Sequence, residues 1–239
     1  MIIYYLNICN KIIKVESICG DFKSFCEGYL IDNCDVVDYT ISVSQEEIDE
    51  QARLSHMSNK GKLEGFVILN KLADILLLDD NAIFMHGAVV AYNDNAYMFT
   101  APSGTGKTTH VRLWVENLKD AYILNGDKPF ISINDIVCAW GSPWCGTEGY
   151  SKNTNVKLKA ICLLNRSNEN SIKEISFNEA LPTLINQTAI LKENDGLNRI
   201  LKLLCQLKKK VKFYCLNIDS DNYGNDAFNV SYDALRKLQ

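Results

Sequence analysis

The stretch Phe99–Trp114, "FTAPSGTGKTTHVRLW", decides how this chain is read. It meets the phosphate-loop pattern G-x-x-x-x-G-K-[ST] at Gly106, Lys107 and Thr108, with Ala101 where the first glycine usually stands. Glycines let successive backbone N–H groups turn inward around an anion. A helix that starts after the loop adds unpaired N–H groups and a partial positive charge. Lys107 is placed to reach the β- and γ-phosphates and the Thr108 hydroxyl to ligate Mg²⁺. Ala101 is tolerable at the strand exit if its φ is negative, because its methyl group is small. The candidate nucleotide-binding residues are Ser103, Gly104, Thr105, Gly106, Lys107, Thr108 and Thr109.

Outward from the loop, "AIFMHGAVVAYNDNAYMFT" reads as strand, turn at Asn93–Asn95, strand, and the segment after the loop as a helix with Val111, Trp114 and Leu118 on one face. His86 closes an apolar strand; beside the loop's strand it approaches the phosphates, and otherwise it is a satisfied core histidine. His110, on the helix, reads as structural. "AYILNGDKPFISINDIVCAW" and "VKLKAICLLNR" are strand-rich. Ser176 to Glu179 is a capping box opening a helix that Pro182 is expected to kink, and Leu197 to Leu207 forms another helix. "VKFYCLNI" closes the strands and 231–238 is a short last helix.

Upstream, "IIYYLNI", "KIIKVES" and "DYTISVS" read as strands, "QEEIDEQARLSH" as loop or a short solvated segment, and the run from Phe66 to Leu76 as a helix despite Gly65. The expected fold class is therefore α/β with α+β character. A mixed β-sheet core carries the strand–loop–helix site over 81–239, and an N-terminal β-rich portion, 1–80, ends in a helix and packs on it.

Composition narrows the function. Of 239 residues, 47% are hydrophobic and 23% charged, ordinary globular values, and the net charge of −4 gives no basic face for nucleic acid. The one basic run, Lys208–Lys210, closes a helical pattern, where cations favour the dipole. Nine cysteines without a Cys-x-x-Cys pair suit buried thiols in a reducing compartment and not a structural metal. The N-terminal run is interrupted by lysines, unlike a signal peptide, and no run approaches the roughly 20 apolar residues of a membrane span. A soluble cytoplasmic protein without membrane partners is expected; homo-oligomerisation stays open.

Phosphate transfer needs an acid near the loop. Asp127, in "YILNGDKPF", follows an apolar strand at a suitable distance. It serves as metal ligand or base, or merely as the turn residue of an "NGD" turn.

These features resemble a known family. "SGTGKTT" is similar to the phosphate loop of ATP-dependent phosphoenolpyruvate carboxykinases and of bacterial HPr kinase/phosphorylases. The latter also carry a His-Gly pair, here His86-Gly87, followed by a hairpin into the loop. The resemblance covers about residues 82–165; "GSPWCG", "VKLKAICLLNR" and the N-terminal layout look like the small HPr-kinase-related proteins. The chain is too short for a carboxykinase's oxaloacetate apparatus. The resemblance implies ATP and Mg²⁺ as cofactors, with Lys107 on the phosphates and Thr108 on the metal. It also implies Asp127 binding metal and activating an acceptor hydroxyl, with His86 beside it.

One departure stands out: the family usually has two adjacent aspartates, whereas Gly126 and Lys128 flank Asp127. Glu148 is the candidate for the missing carboxylate and third metal-binding group, against a solvated loop glutamate. Arg166 is expected to meet a phosphate or the adenine, or to be a surface arginine. Lys128 pairs with Asp127 or a phosphate. Trp140, Trp144 and Tyr150 line a base or acceptor pocket or pack in the core.

The expected function is an ATP-dependent kinase acting on a serine-type hydroxyl of a protein, peptide or small molecule. The alternative is a catalytically weak nucleotide sensor or scaffold. The absence of N-K-x-D leaves adenine as the default over guanine.

Overall fold

Two short turns show how the sequence sets the strands. Asn93 and Asp94 both have positive φ (48° and 57°), and so do Cys9 and Asn10 (53° and 61°). This is the paired left-handed geometry of two-residue hairpin turns, which asparagine and aspartate tolerate. The first turn joins β-strands whose last pair is Tyr92 with Asn95, the second a pair closed by Ile8 and Lys11.

The computed structural model describes residues 1–55, 57–189, 196–221 and 223–238. The elements are β1 (Ile2–Ile8), β2 (Lys11–Ser17), a 3₁₀ segment (Asp21–Tyr29), β3 (Leu30–Ile31), β4 (Tyr39–Ser42), α1 (Gln45–Ser55) and α2 (Lys60–Asp79). There follow β5 (Ala82–Phe84), β6 (Ala88–Tyr92), β7 (Asn95–Thr100), α3 (Lys107–Asn117), β8 (Tyr122–Asn125), β9 (Phe130–Ile133) and β10 (Val137–Trp140). The chain closes with β11 (Asn155–Ser167), β12 (Ser171–Ile175), α4 (Phe177–Gln187), α5 (Gly196–Leu207), β13 (Lys212–Asp219) and α6 (Asn225–Leu235).

Among the described residues, the large sheet runs β5-β9-β10-β11-β7-β6-β8, and β13 pairs both β11 and β12. It is mixed: β7 is parallel to β11 and antiparallel to β6. A smaller sheet, β3-β1-β2-β4, comes from the N-terminal portion. The α/β fold class with α+β character is as the sequence indicates.

The strand that feeds the loop is buried on both faces. Alternate residues serve different cores, as the period of two requires. Ala96 and Met98 join Phe177, Leu184, Leu203 and Leu207 of α4 and α5 on one side. Tyr97 and Phe99 join Val111 and Trp114 of α3 and Phe228 of α6 on the other. A third core gathers β1, β2, the 3₁₀ segment and α2, and includes Phe84, Phe130 and Trp144 from the main sheet and its loops. Burial of these rings and aliphatic chains, each contributing about 1.5–3 kcal/mol when fully withdrawn from water, holds the N-terminal portion against the site.

Several local expectations need correction. "QEEIDEQARLS" is a full helix, α1, and not a loop: Ile48 is its one buried residue, and Ser44 with Glu47 closes its start. The last helix begins at Asn225, six residues before the expected 231, because Ala227 and Phe228 already pack under Trp114. The cysteines are free thiols, but only Cys26 and Cys162 are buried; Cys215 is half-buried and Cys205 exposed. Pro182 lies within an uninterrupted α4, opened by the capping box of Ser176 and Glu179. No helix among the described residues is long and apolar enough to cross a membrane.

Gly65 sits inside α2 for a packing reason. A Cβ there would lie 2.6 Å from Cδ2 of Phe22, and the Gly65 carbonyl accepts the indole N–H of Trp144 at 3.0 Å. The missing side chain lets the 3₁₀ segment close onto the helix. Beside it in sequence, the buried Glu64 carboxylate accepts from the Ser17 hydroxyl (2.8 Å) and from the N–H groups of Ile18 (2.6 Å), Cys19 (3.2 Å) and Gly20 (3.3 Å).

Candidate functional site

The loop between β7 and α3 leaves the strand at Ala101, which is buried and outside the positive-φ residues. The tight turns fall to Gly104 (φ 78°) and Gly106 (φ 111°), the latter the N-cap of α3 and without a side chain to cap it. Lys107 folds back, its ammonium donating to the carbonyls of Ala101 (2.9 Å) and Pro102 (3.1 Å). Burial pushes its pKa down, and the nearby Asp127 opposes that shift. Thr105 bridges the loop through Pro102 (2.9 Å), while Ser103, Gly104 and Thr109 are exposed. Arg166, at the end of β11, donates to the Gly104 carbonyl at 2.5 Å, so it braces the loop.

β8 delivers the acid. The buried Asn125 at its end accepts the backbone N–H groups of Asp127 (2.9 Å) and Lys128 (2.7 Å) on its side-chain oxygen. Its amide donates to the carbonyl (3.0 Å) and hydroxyl (3.1 Å) of Ser142. This is an Asx turn, in which a side chain replaces a backbone turn acceptor. The turn-forming role belongs to Asn125, which leaves the Asp127 side chain free of it. The preceding Gly126 carbonyl lies 3.4 Å from the Thr108 hydroxyl, so the first turn of α3 and the acid-bearing loop adjoin.

The Asp127 carboxylate is held at both oxygens. Oδ1 is 3.1 Å from Nε2 of His86, and Oδ2 is 2.5 Å from Nζ of Lys128. His86 is fixed in turn: its Nδ1 is 2.7 Å from Oε1 of Gln187, and its backbone N–H donates to the Gln187 carbonyl at 2.7 Å. Both imidazole nitrogens face oxygens, so the ring is held from two sides. Gly87 then donates to the Asp127 carbonyl (2.8 Å), and a Cβ on it would lie 2.9 Å from the Phe99 carbonyl. The His-Gly pair thus ties the acid to the strand that feeds the loop. Burial raises the Asp127 pKa, but the hydrogen bonds and charges of His86 and Lys128 outweigh it and bring the carboxyl down to about 2.

The remaining expected residues divide. Glu148 is exposed and bonded to the Thr147 hydroxyl (3.1 Å); a Cβ built on Gly146 would lie 3.3 Å from the Asp127 Cβ and 3.6 Å from Oε2 of Glu148, so the two acids flank one small gap. Among the described residues no three His, Cys, Asp or Glu side chains converge as a metal site. The Thr108 hydroxyl and the Asp127 carboxylate, on adjoining segments, are nevertheless hard donors of the kind Mg²⁺ takes together with water and phosphate oxygens. His110 is fully buried against Ser231 (3.0 Å), and burial lowers its pKa to about 3. Of the three aromatic candidates only Trp144 lines the cavity beside Asp127; Trp140 bonds Ser132 at 2.9 Å and Tyr150 is exposed.

Sequence reasoning missed Asn125, Gln187 and Tyr223. Asn125 carried a signal, since asparagine two residues before a turn is the Asx pattern. Gln187 reaches His86 across 101 positions of sequence and carried none. Tyr223 donates its hydroxyl to the Gly106 carbonyl (3.1 Å), supporting the loop from the C-terminal segment.

No known family model matches the chain, and no curated protein matches it in sequence. Among solved structures, the chain is similar to the Hpr(Ser) kinase/phosphatase from Coxiella burnetii, with 6% identity and a TM-score of 0.40. That superposition covers 65% of this chain and 97% of the other. Similarity of that depth decides nothing about the chemistry.

Proposed function

We propose that this protein binds ATP on the 101–108 loop and transfers the γ-phosphate to a serine-type hydroxyl. The observation that carries the reading is Asp127: a carboxylate relieved of turn duty by Asn125, pinned by His86 and Lys128, and adjoining the Thr108 end of the glycine-rich loop. The uncapped start of α3 and the turned-in loop offer N–H groups to phosphate. Lys107 exchanges its two carbonyl partners for β- and γ-oxygens, and Arg166 steadies Gly104. Thr108 and Asp127 would hold Mg²⁺, which would supply charge neutralisation on the phosphates.

Asp127 orients the acceptor hydroxyl by accepting its hydrogen bond. At a pKa of about 2 it is a weak base in the resting site, so its contribution lies in positioning and electrostatics more than in deprotonating the ground state. Lys128 has two stations, Oδ2 of Asp127 and the transferred phosphoryl group; moving to the second frees Oδ2 for the acceptor.

The same weak basicity and the occupied Oδ2 favour the second reading, a nucleotide sensor with little catalysis. Labelled ATP with Mg²⁺ and cell extract separates the two. Labelled product lost in Asp127→Asn, with ATP affinity kept, supports the kinase; tight ATP binding without product in any extract supports the sensor.

A further inference from the structure

A cavity of about 1000 Å³ opens beside Asp127 and Lys128, and no residue of the 101–108 loop lines it. Asp127 therefore stands between two spaces: the loop and Lys107 on one side, whose charge it influences, and this cavity on the other. The cavity walls come from the 3₁₀ segment, the start of α2 and the 143–153 loop.

Its aromatic wall is continuous. Trp144 stacks on Phe22 (centroids 5.1 Å, planes 25° apart), and Phe22 stacks on Phe25 (6.3 Å, 20°). The three rings run from interior to surface: Trp144 is 8% exposed, Phe22 5% and Phe25 57%. Lys62 and Glu27 add one charge of each sign to the lining.

We infer that this cavity is the acceptor site and that the acceptor is a peptide segment, with a serine or threonine hydroxyl at Asp127 and a large apolar side chain of the same segment on the Trp144–Phe22–Phe25 wall. This rests on the kinase reading above. Three features favour a peptide over a small molecule. The volume is at the upper end of the roughly 300–1,000 Å³ that small ligands occupy. The reacting end and the aromatic wall are different parts of one cavity, so recognition extends past the hydroxyl. Phe25 continues the wall onto the surface, where a ligand confined to the cavity would not touch it, and an exposed aromatic beside a cleft is the kind of anchor peptide sites use.

In the transfer, the acceptor oxygen forms a bond to the γ-phosphorus as the bond from that phosphorus to the β,γ-bridging oxygen breaks. ADP keeps the bonding pair, and the hydroxyl proton passes to Asp127 and on to water.

The probe is a library of acetylated heptapeptides with a central serine, compared with free serine, using labelled ATP and Mg²⁺. The expected products are enriched in Phe, Trp or Leu at a fixed offset from serine. For the best peptide, Phe25→Ser raises KM by roughly five- to tenfold, the effect of losing one anchoring ring, with kcat and ATP affinity unchanged. Equal labelling of free serine, or an enrichment that survives Phe25→Ser, overturns the inference. If no acceptor is labelled at all, the kinase reading fails separately. The site is then judged by fluorescence anisotropy of dye-labelled apolar heptapeptides with a non-hydrolysable ATP analogue present: binding lost in Phe25→Ser upholds a peptide site, and absent or unaltered binding overturns it.

Discussion

The side-chain oxygen of Asn125 accepts the backbone N–H of Asp127 at 2.9 Å, and this contact aims the acid. Replacing Asn125 with alanine strands two N–H groups, those of Asp127 and Lys128, and removes the donor to Ser142. The expected loss is about 2–4 kcal/mol in urea unfolding, since buried polar groups left unpaired each cost about 1–3 kcal/mol. Asn125→Asp keeps the acceptor and loses the donor, so its stability should fall between the two. An alanine variant as stable as the wild type would show that the turn holds without this side chain.

Asp127→Asn keeps the shape of the side chain and removes its charge. No hydrogen bond of Lys107 or the α3 N-terminus runs through Asp127, so ATP affinity measured without Mg²⁺ should change less than threefold, whereas transfer with Mg²⁺ should fall at least a hundredfold, on the order of losing one preorganised electrostatic group. Isothermal titration with ATP and a single-turnover assay separate the two effects. Equal loss of binding and transfer would assign Asp127 to nucleotide binding alone.

How much of this was legible in the sequence follows from the range of each interaction. The loop from Ala101 to Thr108 was readable because one contiguous stretch performs every step: a buried strand, two positive-φ glycines and a helix start. Asp127 was found by its distance from that loop, and its turn could have been excused by reading Asn125 as the Asx residue. The helix at Gln45–Ser55 was hidden because it buries one apolar residue, Ile48, leaving little 3.6-residue periodicity to detect. The Gln187 contact with His86 and the aromatic wall depend on elements brought together only by the fold.

Glu64 tests how the N-terminal portion is held to α2. Its carboxylate accepts from Ser17 and from three successive backbone N–H groups at the entry to the 3₁₀ segment. Glu64→Leu takes the acceptor from Ser17, Ile18 and Cys19 and leaves Gly20 only the Ser17 hydroxyl, 2.8 Å away, with an expected loss of about 2–4 kcal/mol. Glu64→Gln retains an acceptor and should cost clearly less. Thermal melts of the two variants give the comparison, and amide exchange at Ile18 to Gly20 should accelerate most. Equal melting of both variants would mean that the donors find other partners.

Gly65→Ala gains about 1 kcal/mol of helix propensity but sets a methyl group 2.6 Å from Phe22 Cδ2. The ring cannot yield freely, because Trp144 stacks on it at 5.1 Å. Net destabilisation of about 1–3 kcal/mol is expected, the range for overpacking, with a changed near-ultraviolet signal from Trp144. In the background of Phe22→Ala, whose side chain stops at Cβ and lacks the clashing Cγ and Cδ2 atoms, the same substitution should be neutral or stabilising. A double-mutant cycle without coupling would place the strain elsewhere.

The pairing of Asp127 with His86 and Lys128 fixes the sign of one pH effect. Its folded pKa, about 2, lies below the ordinary value of 3.8. The stabilisation from the ionised form is therefore complete above about pH 4 and declines as pH falls from there through about 2, where the folded carboxyl also takes up its proton. The melting-temperature gap between wild type and Asp127→Asn should be widest above about pH 4 and should shrink steadily toward about pH 2. Lys128→Met removes one of the two partners, so it should raise the folded pKa and move the lower edge of that window upward. Because His86 remains, part of the gap should persist. A gap that stays constant across the window would mean that the carboxylate is no better held in the folded chain than in water.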